Sequence, residues 1–227
     1  MKVSILQSNY IPWKGYFDII AKSDVFIFHD DLQYTKNDWR NRNKIKTESG
    51  LKWLTIPCGT NEKRLICDVE LANSMWQIKH WEIIKESYKN APYFSIYKNL
   101  FEEIYLEKVW VRLSELNQYM IIMISSDILN IKSTIFQDSR TYCLTKKKED
   151  RVLELLEKAK ADEYISGPSA KNYLNEEKFV EKNIKLTWMD YSNYKEYNQL
   201  YSPFEHGVSI LDLIFNEGPN ARSFLKY

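Results

Sequence analysis

The stretch that decides the fold is residues 3–28, VSILQSNYIPWKGYFDIIAKSDVFIF. Two short apolar runs, residues 3–6 and 25–28, flank residues 13–22, in which apolar side chains recur every three or four positions. The short runs have the length of strands covered on both faces, and the central spacing is typical of an amphipathic helix. Because a strand–helix–strand unit of this length connects parallel neighbours, the stretch predicts a parallel α/β sheet.

The rest of the chain extends this pattern. Residues 76–130 are mostly helical in pattern, with a break at Pro92, and residues 51–71 suit either a strand pair or an irregular excursion from the sheet. We therefore expect one α/β domain over residues 1–227: a Rossmann-like, doubly wound, mainly parallel sheet with a helical insertion at about 76–130. The other predicted elements are strands at 132–137, from 164 and at 184–189, and helices at 147–160, 176–181 and 209–215.

Composition limits the classes of function. The 227 residues include 32 Lys and Arg against 31 Asp and Glu, so the net charge of +1 gives no global field for nucleic acid or a membrane surface. Three irregularly spaced cysteines do not form a disulfide framework or a zinc motif. The longest apolar run, residues 120–124, is far shorter than the ~20 residues of a membrane helix. We expect a cytoplasmic protein with no membrane association.

Ligands of an open parallel sheet bind beyond the carboxyl ends of its strands, which selects the loops 7–13, 29–34 and 166–171. The first loop lacks the G-x-G-x-x-G pattern, a Walker lysine and the His-x-Gly-His signature of nucleotidyltransferases, so its phosphate signal is weak. We expect the first and third loops to face one crevice. The candidate substrate-binding residues of the three loops are Gln7, Asn9, Tyr10, Trp13, Gln33, Tyr34, Ser166, Gly167, Ser169 and Lys171.

Asp30 and Asp31 are candidate catalytic residues at the end of the second strand. Adjacent carboxylates in a crevice can differ in pKa and can orient a hydroxyl, hold a metal or act as a base. Ordinary aspartates that cap a turn or a helix produce the same pattern. His29 is a weaker candidate, because a hydrogen-bonded structural histidine fits the position equally well.

The segment 39–46 is rich in Arg and Asn, and its candidate substrate-binding residues are Arg40, Arg42 and Asn43. Arg suits the bidentate binding of phosphate, and the nearby Trp39 and Trp53 can stack on a base or a pyranose. A solvated basic loop is the alternative. Nucleic acid would suit the same residues, but the near-neutral charge favours a small anionic ligand.

His80 is the third candidate catalytic residue. It follows Trp76 by four positions on a predicted helix, and a histidine can act as a general base near neutral pH. A packed histidine explains the spacing equally well. No set of His, Asp and Glu has metal-ligand spacing, so we predict no metal and no permanently bound cofactor.

The segments 5–17, 30–34, 39–46, 91–94, 161–166 and 211–216 together resemble the WbqC-like protein family, in order from the first strand to the last helix. Ser8 stands where the family pattern has Pro. The resemblance implies a role among the genes for O-antigen and other surface glycans. It implies the modification of unusual sugars, often amino sugars linked to a nucleotide.

Two functions fit this setting. The first is an enzyme that transfers an acyl or aminoacyl group, such as glycyl, to the amino group of a nucleotide-linked deoxyamino sugar. Its donor would be a carrier thioester or an aminoacyl-tRNA, so an acyl-carrier protein or a tRNA is an expected partner, and a homo-oligomer is compatible with the sequence. The second is a non-catalytic protein that binds a nucleotide-sugar or a partner enzyme. A metal-dependent glycosyltransferase would require an Asp-x-Asp motif, which the adjacent Asp30 and Asp31 do not form.

Overall fold

A computed structural model describes residues 1–71 and 73–227. Seven strands are found in these ranges. They are β1 (Lys2–Leu6), β2 (Val25–Phe28), β3 (Arg42–Thr47), β4 (Gly50–Thr55), β5 (Ile135–Asp138), β6 (Glu163–Ser166) and β7 (Lys185–Trp188). The α-helices in the same ranges are α1 (Lys14–Lys22), α2 (Met75–Tyr88), α3 (Phe94–Glu102), α4 (Leu113–Met123), α5 (Lys148–Lys158), α6 (Glu176–Glu181) and α7 (Ile210–Glu217).

Five strands form the main sheet in the order β5-β2-β1-β6-β7, and every neighbouring pair is parallel. The chain starts in the centre of the sheet, builds outward through β2 and β5, and returns to the other side of β1 through β6 and β7. This order is that of a doubly wound sheet, with its switch point between β1 and β6. The prediction of a Rossmann-like, mainly parallel α/β fold is confirmed.

The two faces of the sheet carry separate hydrophobic clusters. Phe26 faces the cluster that contains Phe17 of α1, whereas its neighbour Ile27 faces the cluster that contains Leu156 of α5 and Phe179 of α6. This alternation follows from the two-residue period of a strand, and burial on both faces explains why β2 consists only of apolar residues. Helices α1 and α5 therefore cover opposite faces near the central strand.

The described residues between β2 and β5 include a hairpin and a group of helices. Helices α2, α3 and α4 lie within the predicted insertion, and α3 and α4 each continue into one π-helical segment, Glu103–Glu107 and Ile124–Ile128. The assignment of residues 1–227 to one domain stays a prediction. Among the helices of the described residues, none has both the length and the apolar character needed to cross a membrane.

The hairpin corrects one expectation. A strand pair wholly within residues 51–71 is wrong, because β4 pairs antiparallel with β3, which comes from the basic segment 39–46. Asn43 and Ile45 of β3 are buried while Arg42 and Lys44 are partly exposed, so the segment has the two-residue period of a strand despite its charges. Gly50, with φ of +105°, allows the tight turn between the two strands.

Candidate ligand-binding cavities at the carboxyl edge of the sheet

A cavity of about 950 Å³ lies at the carboxyl edge of the sheet on the face covered by α5. We call it the lysine cavity. It is lined by Gln7 after β1, by His29 after β2, by residues 146–150 at the start of α5, and by Tyr173 and Lys178. Its volume lies within the range of small-molecule sites, which is about 300–1,000 Å³.

The lysines of this cavity were not among the residues predicted from the sequence. Lys178 is neutralised by Glu149 at 2.8 Å and Asp150 at 3.0 Å. In the part of the chain that the structure describes, residues 146–148 form no ion pair. Lys147 caps α5 and Lys148 is its first residue, so these lysines lie beside the first turn, whose backbone N–H groups lack partners within the helix. Three successive lysines before a helix that follows a strand were the available sequence signal.

Behind the lysine cavity, His29 belongs to a buried charged cluster. Arg151 of α5 donates from Nε to Nε2 of His29 at 3.2 Å and pairs with the carboxylate of Asp31. Asp31 also accepts a hydrogen bond from Ser139. Because Arg151 donates to Nε2, the proton of a neutral His29 lies on Nδ1.

Burial lowers the pKa of His29 to about 4, against the opposing effect of the Asp31 carboxylate. The imidazole is therefore neutral at pH 7. Its Nε2 lone pair is engaged by Arg151, so the ring is suited to donate from Nδ1 to an oxygen and unsuited to take up a proton at Nε2. Asp31, paired with Arg151, is positioned to hold this arrangement in place.

Asp30 is fully buried and ties three elements together. Its Oδ1 accepts the Ser8 N–H at 2.8 Å, and its Oδ2 accepts from Nε2 of Gln118 on α4 at 2.8 Å. Burial raises the pKa of this carboxyl, and the hydrogen bonds from Ser8 and Gln118 act in the opposite direction. Asp30 does not line the lysine cavity, so its contacts are those of a residue that fixes the β1–α1 loop. Its catalytic role stays a prediction.

His80 is buried beneath the other side of the same loop. Its Nδ1 lies 2.9 Å from the hydroxyl of Tyr10, which also lies 2.6 Å from the hydroxyl of Tyr105. The ring of Trp76 contacts His80 edge-on, with 5.2 Å between ring centroids. Burial lowers the pKa of His80 to about 4. Neither Tyr10 nor His80 lines the lysine cavity, which favours a packed histidine; the catalytic role stays a prediction.

The third predicted loop leaves the same edge of the sheet, because β6 is parallel to β1. Ser166 is buried, Gly167 is half-buried and Ser169 is exposed. The amine of Lys171 lies 5.6 Å from the ring centre of Trp188 on β7. None of these loop residues lines the lysine cavity, so a crevice shared with the first loop stays a prediction.

A second cavity, of about 370 Å³, lies on the other side of the β1–α1 loop. We call it the tryptophan cavity. Its lining includes Asn9, Trp13, Trp39, Asn43 and Lys44. Three predicted substrate-binding residues, Asn9, Trp13 and Asn43, therefore meet around one opening, although they come from a loop, a helix start and the hairpin.

The remaining predicted residues lie close to the hairpin. The guanidinium of Arg42 lies 4.4 Å from the ring centre of Trp53, and Arg40 pairs with Asp38 at 3.1 Å. Gln33 is exposed, and Tyr34 is fully buried. Among the described residues, no group of three or more His, Cys, Asp or Glu side chains is placed to hold a metal ion.

Comparisons with known proteins identify relatives over the whole chain. The family model of the WbqC-like protein family matches residues 7–224. An uncharacterized protein of Mycobacterium tuberculosis is 45% identical over 228 residues, an alignment that covers 100% of this chain and 98% of that protein. No solved structure matches this chain.

Proposed function

Because the chain belongs to the WbqC-like protein family, we propose that it binds a nucleotide-linked amino sugar in the lysine cavity and transfers an acyl or aminoacyl group, such as glycyl, to the sugar's amino group. This reaction would serve the synthesis of bacterial surface polysaccharide. The observation that carries the proposal is the cluster of three lysines and a helix start beside a cavity of about 950 Å³ at the carboxyl edge of the sheet.

The electrostatics of the cavity favour a diphosphate. The lysines at 146–148 have no carboxylate partner within the described residues, and the first turn of α5 adds unpaired N–H groups. Ammonium groups and helix N-termini both attract phosphate oxygens. The volume exceeds what a diphosphate needs and leaves room for a sugar and a nucleoside, with the rings of Tyr164 and Tyr173 as apolar walls.

The reaction requires a nucleophilic amine and a stabilised oxyanion. The amine nitrogen attacks the acyl carbon, the bond from that carbon to the donor's sulfur or oxygen breaks, and the amine proton ends on that leaving atom. We assign to the Nδ1–H of His29 the stabilisation of the developing oxyanion, since a neutral imidazole held by Arg151 is a fixed donor at the cavity wall. The donor is a carrier thioester or an aminoacyl-tRNA.

A second candidate function is non-catalytic binding of the same nucleotide-sugar. It is favoured by the bonding of the predicted catalytic groups, since Asp30 and His80 have their polar atoms engaged within the protein. The two functions share one ligand and differ in turnover. Incubation with the bound nucleotide-sugar and an acyl or aminoacyl donor, followed by mass measurement of the sugar, separates them.

The test of binding is a thermal-shift measurement with UDP-, GDP-, CMP- and dTDP-linked amino sugars. A ligand that binds the folded state raises the melting temperature by mass action, so we expect a selective shift with one nucleotide. Replacing both Lys146 and Lys147 by Gln removes hydrogen bonds to charged groups and should weaken binding by roughly 1.5–3 kcal/mol each. Lys132→Gln is the matched control, because Lys132 is exposed and precedes β5 at the opposite edge.

The outcomes are distinct. Failure of every nucleotide-sugar to shift the wild-type protein at millimolar concentration would overturn the binding proposal. A shift that survives in the double lysine variant would place the ligand outside the lysine cavity. Binding without any acylated product would leave the second candidate function.

A further inference from the structure

We infer that the tryptophan cavity is a separate binding site for an adenine nucleotide, the stacked ring and phosphate that both a coenzyme A thioester and the 3′ end of an aminoacyl-tRNA carry. The identity of this ligand as the group donor rests on the proposed function. The binding site itself rests on the geometry of the cavity.

One wall of the cavity is a ring surface open to solvent. Trp39 is 43% exposed, and its ring lies 5.6 Å from that of Trp53 with an angle of 35° between the planes. Arg42 contacts the Trp53 ring through its guanidinium at 4.4 Å. The contact with Trp53 restricts the Trp39 ring while 43% of the side chain stays exposed. A planar base gains stacking energy on such a surface through its ring face, whatever sugar it carries.

The second wall is rigid. Trp13 is contacted edge-on by Tyr191 at 5.2 Å and by Tyr194 at 5.8 Å between ring centroids. Its ring also lies against the backbone of Gly15, where a Cβ atom would come within 2.3 Å of the ring. Gly15 is thus the residue that allows Trp13 to lie flat at the start of α1. A wall that does not need to be ordered on binding lowers the entropic cost of holding a ligand.

The two asparagines that line the cavity differ in how fully their side chains are hydrogen-bonded. Asn43 is satisfied, since its Nδ2 donates to the carbonyls of Tyr10 at 3.1 Å and Ile11 at 2.9 Å and its Oδ1 accepts the Lys44 N–H at 2.8 Å. The Oδ1 of Asn9 is buried and has no hydrogen-bond partner among the described residues. A buried acceptor of this kind is costly unless a donor reaches it. Because this oxygen is shielded from solvent, the Asn9 side chain must turn towards the cavity that it lines before the exocyclic amine of a stacked adenine can donate to it.

Positive charge beside the tryptophan cavity favours a ligand that carries phosphate. Lys44 lines the cavity, and in the described ranges of the chain it takes part in no ion pair; its amine lies 5.8 Å from the ring centre of Trp53, on which Arg42 also lies. The neighbouring Glu205 carboxylate accepts the Gly207 N–H at 2.7 Å. A neutral sugar would gain little from these cations, whereas a phosphate attached to a stacked nucleoside would reach them.

The two cavities lie on two sides of one loop. Gln7 lines the lysine cavity, and Asn9 and Trp13 line the tryptophan cavity. A volume of about 370 Å³ suits a mononucleotide, and the larger lysine cavity suits a nucleotide-sugar. Direct transfer between two bound ligands needs adjoining donor and acceptor sites, and these two cavities share the β1–α1 loop.

The test measures calorimetric binding of AMP, coenzyme A and a short RNA that ends in a 3′ adenosine to the wild-type protein and to Trp39→Leu. Loss of the ring should weaken binding of AMP about tenfold or more, as expected for loss of base stacking. Tyr227→Leu is the matched control, because Tyr227 is an aromatic residue with a similar exposure of 42% at the end of the chain. Tighter binding of coenzyme A than of AMP would identify a thioester donor, and tighter binding of the RNA would identify a tRNA donor.

Lys44→Gln provides a second variant that leaves the Trp39 ring in place. It should weaken AMP binding and reduce its dependence on salt, without effect on adenosine. Absence of binding by AMP, coenzyme A and the RNA, or unchanged AMP affinity in both variants, would overturn the inference. So would loss of nucleotide-sugar binding in Trp39→Leu with AMP binding unchanged, because the cavity would then belong to the acceptor. If the wild-type protein bound AMP but no nucleotide-sugar, and Trp39→Leu lost the AMP binding, the tryptophan cavity would be supported and the proposed function would fail.

Discussion

Replacing His80 by Gln is expected to remove a pH-dependent part of the protein's stability. His80 is 5% exposed, and burial lowers its pKa from 6.5 to about 4. Between these two values the unfolded chain carries a proton on this ring and the folded protein does not. Protons therefore bind the unfolded state preferentially, and the free energy of unfolding falls as the pH is lowered from 6.5 towards 4.

The magnitude follows from the size of the shift. One pKa unit corresponds to 1.36 kcal/mol, so a shift from 6.5 to about 4 is linked to about 3 kcal/mol of unfolding free energy at pH 4. Burial lowers the pKa of His29 to about 4 as well, which adds a contribution of the same sign. Burial raises the pKa of Asp30, which contributes with the opposite sign. The contribution of His80 is therefore obtained by comparing the pH dependence of the unfolding free energy in the wild type and in His80→Gln.

The assay is urea denaturation of both proteins at intervals from pH 7 to pH 4. We expect the wild type to lose up to about 3 kcal/mol more than His80→Gln over this range. The variant should also be less stable than the wild type at pH 7, because Gln cannot fill the ring's place between Tyr10 and Trp76. Parallel curves of unfolding free energy against pH would refute the assignment of His80 as a buried, neutral ring. Loss of turnover in fully folded His80→Gln would instead restore its catalytic role.

Three further predictions address the loops around β1. Asp31→Asn should lower turnover by at least ~10²-fold in the protein that remains folded, because Arg151 loses the carboxylate that holds it against His29. The same loss leaves a mostly buried guanidinium without its partner, so the free energy of unfolding should fall as well. Wild-type turnover would remove this cluster from the mechanism. Asp30→Asn should lower the free energy of unfolding by about 1–3 kcal/mol, since a charged acceptor of two buried hydrogen bonds is lost, and denaturation at pH 7 measures this. Gly15→Ala should lower the melting temperature by forcing the neighbouring tryptophan ring aside, at a cost of about 1–3 kcal/mol; an unchanged melting temperature would contradict the close packing at this position.

The fold was predictable from local patterns. Residues 3–28 predicted a parallel sheet, because the length of each apolar run and the spacing of its apolar positions depend on one strand or helix alone. The helix expected at 176–181 is observed as α6 with the same bounds. The strand β3 was missed as a strand because its charges obscured the alternation of buried and exposed positions. Asn9, Trp13 and Asn43 were selected from the sequence, but nothing in their spacing indicated that they line one cavity.

The sequence by itself determined the strands and helices around the main sheet, the doubly wound class and the edge at which ligands are expected. Only the tertiary structure decided which side chains meet there. Arg151 reaches His29 across 122 positions of sequence, and His80 meets Tyr10 across 70. The lysines at 146–148 have the pattern of an ordinary helix start until α5 packs over the central strands and brings them to the cavity. Contacts of this kind depend on how elements pack against one another, and no periodicity within an element encodes them.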